Sequence, residues 1–507
     1  MRRRALLATL AASTSVATAG CSLFRDSERR QDTFAVSDTP TETTTSMGFD
    51  PLPEDIRRAF AVPGDDDHRV AVTAPTEVPD DVAITVGFTS EPSTDTPATL
   101  YARAAVPETA DDSVDLPVGS TPPLSSYRGM HETTDQDETR PMFLVPRRAG
   151  VEFDDVVRRD QGCWRPRLPV GPQDATGGRR TLDPGESLAR EYYLVTPWAN
   201  DRCLRAGAYR FEAAAGWQFH VCPFHREPPG DSAYADETVP DLPGFLDTHW
   251  YHDGDAGLYL RPRVEQVGLP SATARLTFRN QRDDRVLVDE TAWAFYKLES
   301  ERWYPIAPLD AAGDDVDHDP IYPGRTSTLS LSLFTDPDPG PDAAEDRHAI
   351  GGLDQGLYAV AYPATLEVPG PNAGRERPTA ALITVVGNPP TVDATDAIDH
   401  VTDREDVRHV HTTPDETAIV TLHLERTTID DSDRVTPPVT PLITEQILQR
   451  DALRNAIVQL QTAPDPIDTV VYHTTPTEIA RTTAWIDPDA NGLYFTYDDT
   501  TYRMTYD

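Results

Sequence analysis

The sequence predicts a mainly β protein, two β-sandwich domains followed by a small C-terminal α+β domain. Three observations carry this. Short runs of alternating or β-branched residues recur between Pro, Gly and Asp clusters, the pattern of strands separated by turns. The 47 prolines fall largely among those runs and exclude long helices from most of the chain. A diverged internal repeat then sets two stretches of the chain in parallel.

Residues 1–20 read as an export signal. Arg2, Arg3 and Arg4 precede an apolar run, Ala5 to Ala19, that is too short and too rich in Ala, Ser and Thr to span a bilayer. Arg3-Arg4-Ala5-Leu6-Leu7 resembles a twin-arginine signal, and Ala17-Thr18-Ala19-Gly20-Cys21 resembles a lipobox. Together they imply a chain that crosses the membrane folded and is tethered through a lipid on Cys21 to the outer face of the cytoplasmic membrane. Plain cleavage after Gly20 is the alternative. Residues 21–64 are Ser, Thr, Asp and Arg with few apolar side chains, so they are expected to form a disordered tether. No Asn-x-Ser/Thr sequon occurs anywhere in the chain.

The two sandwiches are placed at residues 65–228 and 240–388. Val82 to Phe88, Ala274 to Phe278 and Thr328 to Leu333 are strand candidates, the last alternating at period two. In the repeat, Trp164-Arg165-Pro166, Pro184-Gly185-Glu186-Ser187 and Gly207-Ala208-Tyr209 match Trp303-Tyr304-Pro305, Pro323-Gly324-Arg325-Thr326-Ser327 and Gly356-Leu357-Tyr358. Twenty residues separate Trp from Pro-Gly in both copies; the later copy then adds an acidic loop, Asp336 to Asp342. Pro-Gly makes a tight turn into a strand, and Tyr or Trp anchors a sandwich core. These motifs resemble bacterial and archaeal immunoglobulin-like domains, in which a Pro-Gly-x-Ser/Thr strand precedes a Gly-x-Tyr strand. The whole arrangement resembles haloarchaeal twin-arginine-exported lipoproteins. The resemblance spans about residues 65 to 388 and implies adhesion or assembly, with no catalytic residues to carry over.

Residues 389–507 change character. Thr417 to Leu424 and Thr469 to Tyr472 read as strands, and Gly492 to Tyr497 with Thr501 to Tyr506 as a hairpin. Thr440-Pro441 is expected to start one helix, whose face of Leu442, Ile443, Ile447, Leu453, Ile457 and Leu460 runs on through Thr462.

The formal charge is −39, with a pI near 4.5, and Lys297 is the only lysine beside a large arginine complement. That balance looks haloarchaeal: carboxylates hold water and cations at molar salt, where the Debye length is about 3 Å and long-range steering is lost. Nucleic acid is excluded as a partner, because no basic stripe exists to replace its counterions.

Four cysteines occur, one of them the lipid acceptor. Of Cys163, Cys203 and Cys222, two can pair outside the cell, and Cys163 with Cys203 is the expected disulfide; three buried thiols are the alternative. His220-Val221-Cys222-Pro223-Phe224-His225 sets two imidazoles and a thiol within reach of copper or zinc, but His220, Cys222 and His225 lack an evident fourth ligand, and a strand end is expected. Asp487, Asp489, Asn491 and Asp498 match the spacing of a calcium loop, with Asp where the last position wants Glu; a plain acidic turn is expected. His409 and His411 share a strand face, with His400 and His423 near in sequence. They lack the His-Glu-x-x-His spacing of a hydrolytic zinc helix, and a solvated strand face is expected. No nucleophile elbow, phosphate loop or dinucleotide fingerprint is present. The expectation is therefore a lipid-anchored, non-catalytic binding or scaffolding module at the cell surface. It needs no cofactor, calcium aside, and takes a protein partner beyond the membrane. The alternative is an extracytoplasmic metal-binding protein or enzyme using the C-terminal domain or the His220 to His225 cluster.

Overall fold

The computed structural model describes residues 55–507 except for 118–122, 125–127, 133–140, 148–150, 161, 168–178, 197–202, 213–215, 246, 255–256, 290, 309–317, 341–347, 367–377, 413–419, 429–437, 484–487 and 490–491. The described residues belong to one compact unit, mainly β in content. The expected signal segment, Cys21 and the expected tether as far as residue 54 lie outside the described residues. The end of that stretch is a correction: Ala59–Val62 is a strand, and Phe60, 2% exposed, sits in the first core. An aromatic flanked by Ala and Val forms a strand here because a neighbouring strand, Asp65–Val72, pairs with it across a tight turn.

In the first region one path of strands folds back on itself. Its order is Ala59–Val62, Asp65–Val72, Gln218–His225, Tyr209–Glu212, Arg128–His131, Met142–Pro146, Ser187–Val195, Thr99–Ala105, Ala83–Ser90. Val70, Phe219 and Val221 from one arm share a core with Val86, Leu100 and Tyr192 from the other. Phe60 meets Phe88 edge-on at 4.8 Å, so the two ends of the path come together.

In the second region two sheets face each other. One holds Thr379–Val386, Gly356–Tyr362, Ala294–Glu299 and Arg302–Ala307; the other holds Leu258–Pro262, Ser271–Asn280 and Thr326–Phe334. Along Thr326–Phe334 the side chains of Leu329, Leu331 and Leu333 are buried while the serines between them are half-exposed, which is the period-two pattern of a strand with one face on a core.

The repeat has a structural counterpart. Gly185 and Gly324 take left-handed φ values of +87° and +75° in the turns that lead into Ser187–Val195 and Thr326–Phe334. The Tyr209 hydroxyl donates to the Arg205 carbonyl at 3.2 Å and the Tyr358 hydroxyl to the Asp354 carbonyl at 2.7 Å, each four residues upstream. This is the corner that a strand-start tyrosine makes in sandwich domains. The tryptophans diverge: Trp303 lies in a main sheet, whereas Cys163–Pro166, with Trp164, pairs among the described strands only with Val157–Asp160. Tyr209→Phe is expected to lower stability by about 1 kcal/mol, the net value of one such bond. Urea denaturation at constant salt would show it, and an unchanged midpoint would mean the hydroxyl is replaced by water.

The regions meet through named contacts. Arg69 pairs with Asp283 at 2.8 Å, and the Gly324 backbone packs so closely on Phe224 that an added Cβ would lie 2.2 Å from the phenylalanine Cβ. On the other side, Glu445 is fully buried and receives Lys297 Nζ at 2.7 Å, the Tyr358 hydroxyl at 2.8 Å and the Asp354 amide at 3.2 Å. Burial alone would depress the Lys297 amine, yet Glu445 and Glu299 outweigh it and hold it above the ordinary lysine range.

The expected single helix is two. Val439–Pro441 is a strand, Thr444–Leu448 a short helix, and Asp451–Gln461 a second one entered through extended Arg450. The break lets one amphipathic sequence serve two bodies. Ile443 and Glu445 turn into the second sandwich, with Gln446 Nε2 donating to the Pro305 carbonyl and Gln449 Nε2 to the Gly351 carbonyl. Leu453, Ile457 and Leu460 turn onto the C-terminal sheet. Among the described residues no helix is long and apolar enough to cross a membrane.

Candidate functional site

The C-terminal sheet runs Ile398–Arg404, Val407–Thr412, Thr469–Thr474, Val420–Arg426, Thr500–Tyr506, Gly492–Tyr497, Val439–Pro441. One face carries Val410, Leu422, Leu424, Tyr472, Phe495 and Met504 and is covered by the helix Asp451–Gln461. The opposite face carries the histidines. Strand register explains the grouping: His400 lies opposite His411, His411 opposite His473, and both His409 and His423 opposite Val471. A period of two then puts all five imidazoles on one side.

The rings form a stack. His400 and His411 have centroids 4.3 Å apart with planes 9° from parallel, and His411 and His473 lie 4.4 Å apart at 17°. His409 is 6.1 Å from His473. His400 Nδ1 sits 2.9 Å from Asp399 Oδ2, and His423 Nε2 3.4 Å from Asp507 Oδ2. His400 is exposed and the other four are half-buried. Partial burial, reinforced by the neighbouring imidazoles, holds His411 and His473 below the ordinary histidine range. A neutral imidazole at either of these two positions presents one donor edge and one acceptor edge.

That electrostatics has a sign. The unfolded chain, with histidine pKa values near 6.5, binds more protons than the folded one, so the stability these two rings contribute is present above that pH and lost as the pH falls through their lower folded values. Between about pH 7 and about pH 5 the melting temperature of the wild type is expected to fall further than that of the His411→Asn/His473→Asn variant. Parallel curves would remove the histidines from the pH response.

The other sequence candidates are placed as follows. Cys163 and Cys203 are joined, with sulfurs 2.10 Å apart, beside a cavity of about 180 Å³ lined by Phe60, Pro92, Arg159, Trp164 and Leu194. A second cleft of about 380 Å³ lies between Pro243, Arg302, Trp303 and Gln446. His220 is buried, with Nε2 3.1 Å from Glu132 Oε1 and its ring 4.2 Å from that of Tyr322. Cys222 is a buried free thiol that burial pushes upward, and His225 is exposed with Nδ1 at the Asp67 carbonyl. These three are therefore occupied with separate neighbours on one strand. Asp487 and Asn491 lie outside the described residues, as does the side chain of Asp489. Asp498 and Asp499, at φ +49° and +57°, form the two-residue turn that joins Gly492–Tyr497 to Thr500–Tyr506. Among the described residues no three His, Cys, Asp or Glu side chains converge as a preformed metal centre.

His473 was not singled out by the sequence. It stands fifty residues from its nearest partner in the chain, His423, and only the insertion of Thr469–Thr474 between Val407–Thr412 and Val420–Arg426 brings it to the centre of the row.

No protein-family model matches the chain, and no curated protein sequence is similar to it. The crystal structure of red sea bream transglutaminase is similar over 61% of this chain at 10% identity, with a TM-score of 0.15. The chain spans 32% of that protein's length, and the likeness is too slight to bear on activity.

Proposed function

We propose that the protein is a lipid-anchored, non-catalytic binding module of the cell surface, held through Cys21, and that the histidine face of its C-terminal sheet is the surface it binds with. The observation that carries this is the concentration of five of the 13 histidines on one open face of a single sheet whose other face is filled by helices. Flat sheet faces recognise partners through rows of side chains fixed in position by the backbone. Imidazoles give such a row apolar ring faces together with polar edges. The signal and lipobox motifs supply the address, and the sandwiches supply rigid spacing from the membrane.

The test uses the full-length protein in its host. Cys21→Ser is expected to move it from the membrane fraction to the medium; retention in the membrane would overturn the lipid anchor. Affinity capture from detergent-solubilised membranes at molar salt is expected to retain a stoichiometric envelope protein, lost with the His400→Ala/His411→Ala/His473→Ala variant. The same retained set with wild type and variant would overturn the histidine face as the binding surface.

A further inference from the structure

We infer that the imidazole row is a docking site for a borderline divalent transition metal, copper(II) above all, with His411 and His473 as the central ligands and His400 and His409 on either flank. The inference rests on the reading of this face as a binding surface and names its ligand.

The donor set selects the ion. Neutral imidazole is a ligand for copper, nickel and zinc, whereas calcium and magnesium require oxygen, and copper(II) heads the affinity order for a given nitrogen site. Register does the gathering, because directly opposed positions on adjacent strands put His400, His411 and His473 in line. Two metal–nitrogen bonds of about 2.0–2.1 Å need their nitrogens closer than the 4.3 and 4.4 Å between the stacked ring centroids. Rotating side chains on an open face achieves that without moving the backbone. Among the described residues the rings do not converge on a metal position as they stand, so binding requires that rotation.

One contact prepares the flanking ring. Asp399 Oδ2 lies 2.9 Å from His400 Nδ1, which holds the proton there and leaves Nε2 as the lone-pair nitrogen. Carboxylate–imidazole pairs of this kind orient metal ligands.

A purely structural stack would behave differently. Cross-strand ring pairs stabilise a sheet modestly, and removing two would change stability without changing ion binding. The experiment is titration of the detergent-solubilised full-length protein, first stripped with a chelator, with copper(II), nickel(II) or zinc(II) against a chromophoric competitor. Paramagnetic resonance of the copper form is recorded alongside. Saturable copper binding with hyperfine coupling to at least two nitrogens is expected, weakened at least ten-fold in His411→Ala/His473→Ala and unchanged in the exposed-histidine control His225→Ala. Equal affinity in the double variant, or a copper spectrum with oxygen ligands only, would overturn the metal site. Partner capture is read separately in the presence of chelator, so loss of the metal arm alone leaves the binding-surface reading standing.

Discussion

Glu445→Ala is expected to destabilise the protein by about 3–5 kcal/mol, the cost of leaving a buried charge without its partner. Lys297 is held 2.7 Å from that carboxylate with its side chain only 8% exposed, and its other ion pair is with the more exposed Glu299 at 3.3 Å. The Tyr358 hydroxyl and the Asp354 amide lose an acceptor at the same time. The paired variant Lys297→Met/Glu445→Leu is expected to recover most of the loss, since an apolar pair of similar volume removes the desolvation problem along with the attraction. Equilibrium urea unfolding of the single and double variants checks both statements. A Glu445→Ala loss below about 1 kcal/mol, the range of exposed pairs, would mean that water reaches the site. Because Glu445 belongs to the helix before the break and Lys297 to the second sandwich, the clamp also sets how firmly the C-terminal sheet is carried by the sandwich.

Cys163→Ser is expected to lower stability by about 3–4 kcal/mol, from the entropy that a bridge across 40 residues removes from the unfolded chain. Reductant should shift the wild type to the same midpoint and leave the variant where it is. The bridge ties Cys163–Pro166, a strand with little pairing of its own, to the segment that follows Ser187–Val195. Local loosening should therefore appear first around Trp164, whose indole fluorescence would report it ahead of global unfolding. A variant as stable as the wild type would show that Phe153 and Tyr193, packed around Trp164, hold that strand unaided.

The fold was readable where a local rule and the global arrangement agree. Pro-Gly before a strand and Tyr two residues after Gly each specify a short-range geometry, so the repeat predicted two related sandwiches without any knowledge of strand order. Leu329, Leu331 and Leu333 announced their face through alternation alone. Legibility ended where an element serves two neighbours. The apolar stripe from Leu442 to Leu460 is continuous in sequence, and only the competing demands of two cores explain why the chain breaks near Gln449. The histidine face shows the same division. His409 and His411 share a side by the period of a strand, but their union with His473 depends on a parallel insertion into the sheet. From Asp487 to Asp498 the expected acidic turn can be followed only at its end, where Asp498 lies in the two-residue hairpin turn between Gly492–Tyr497 and Thr500–Tyr506.

Lys297 carries a consequence for chemistry done on this protein. It holds the only side-chain primary amine in the chain, and that amine is enclosed. Acylating reagents, amine crosslinkers and reductive methylation therefore meet no reactive ε-amino group on the folded surface. The same residue turns into a reporter once the clamp around Glu445 opens, because a label at position 297 records an opening event and nothing else. Pulse labelling at increasing urea would time the release of the C-terminal region from the sandwich at one atom.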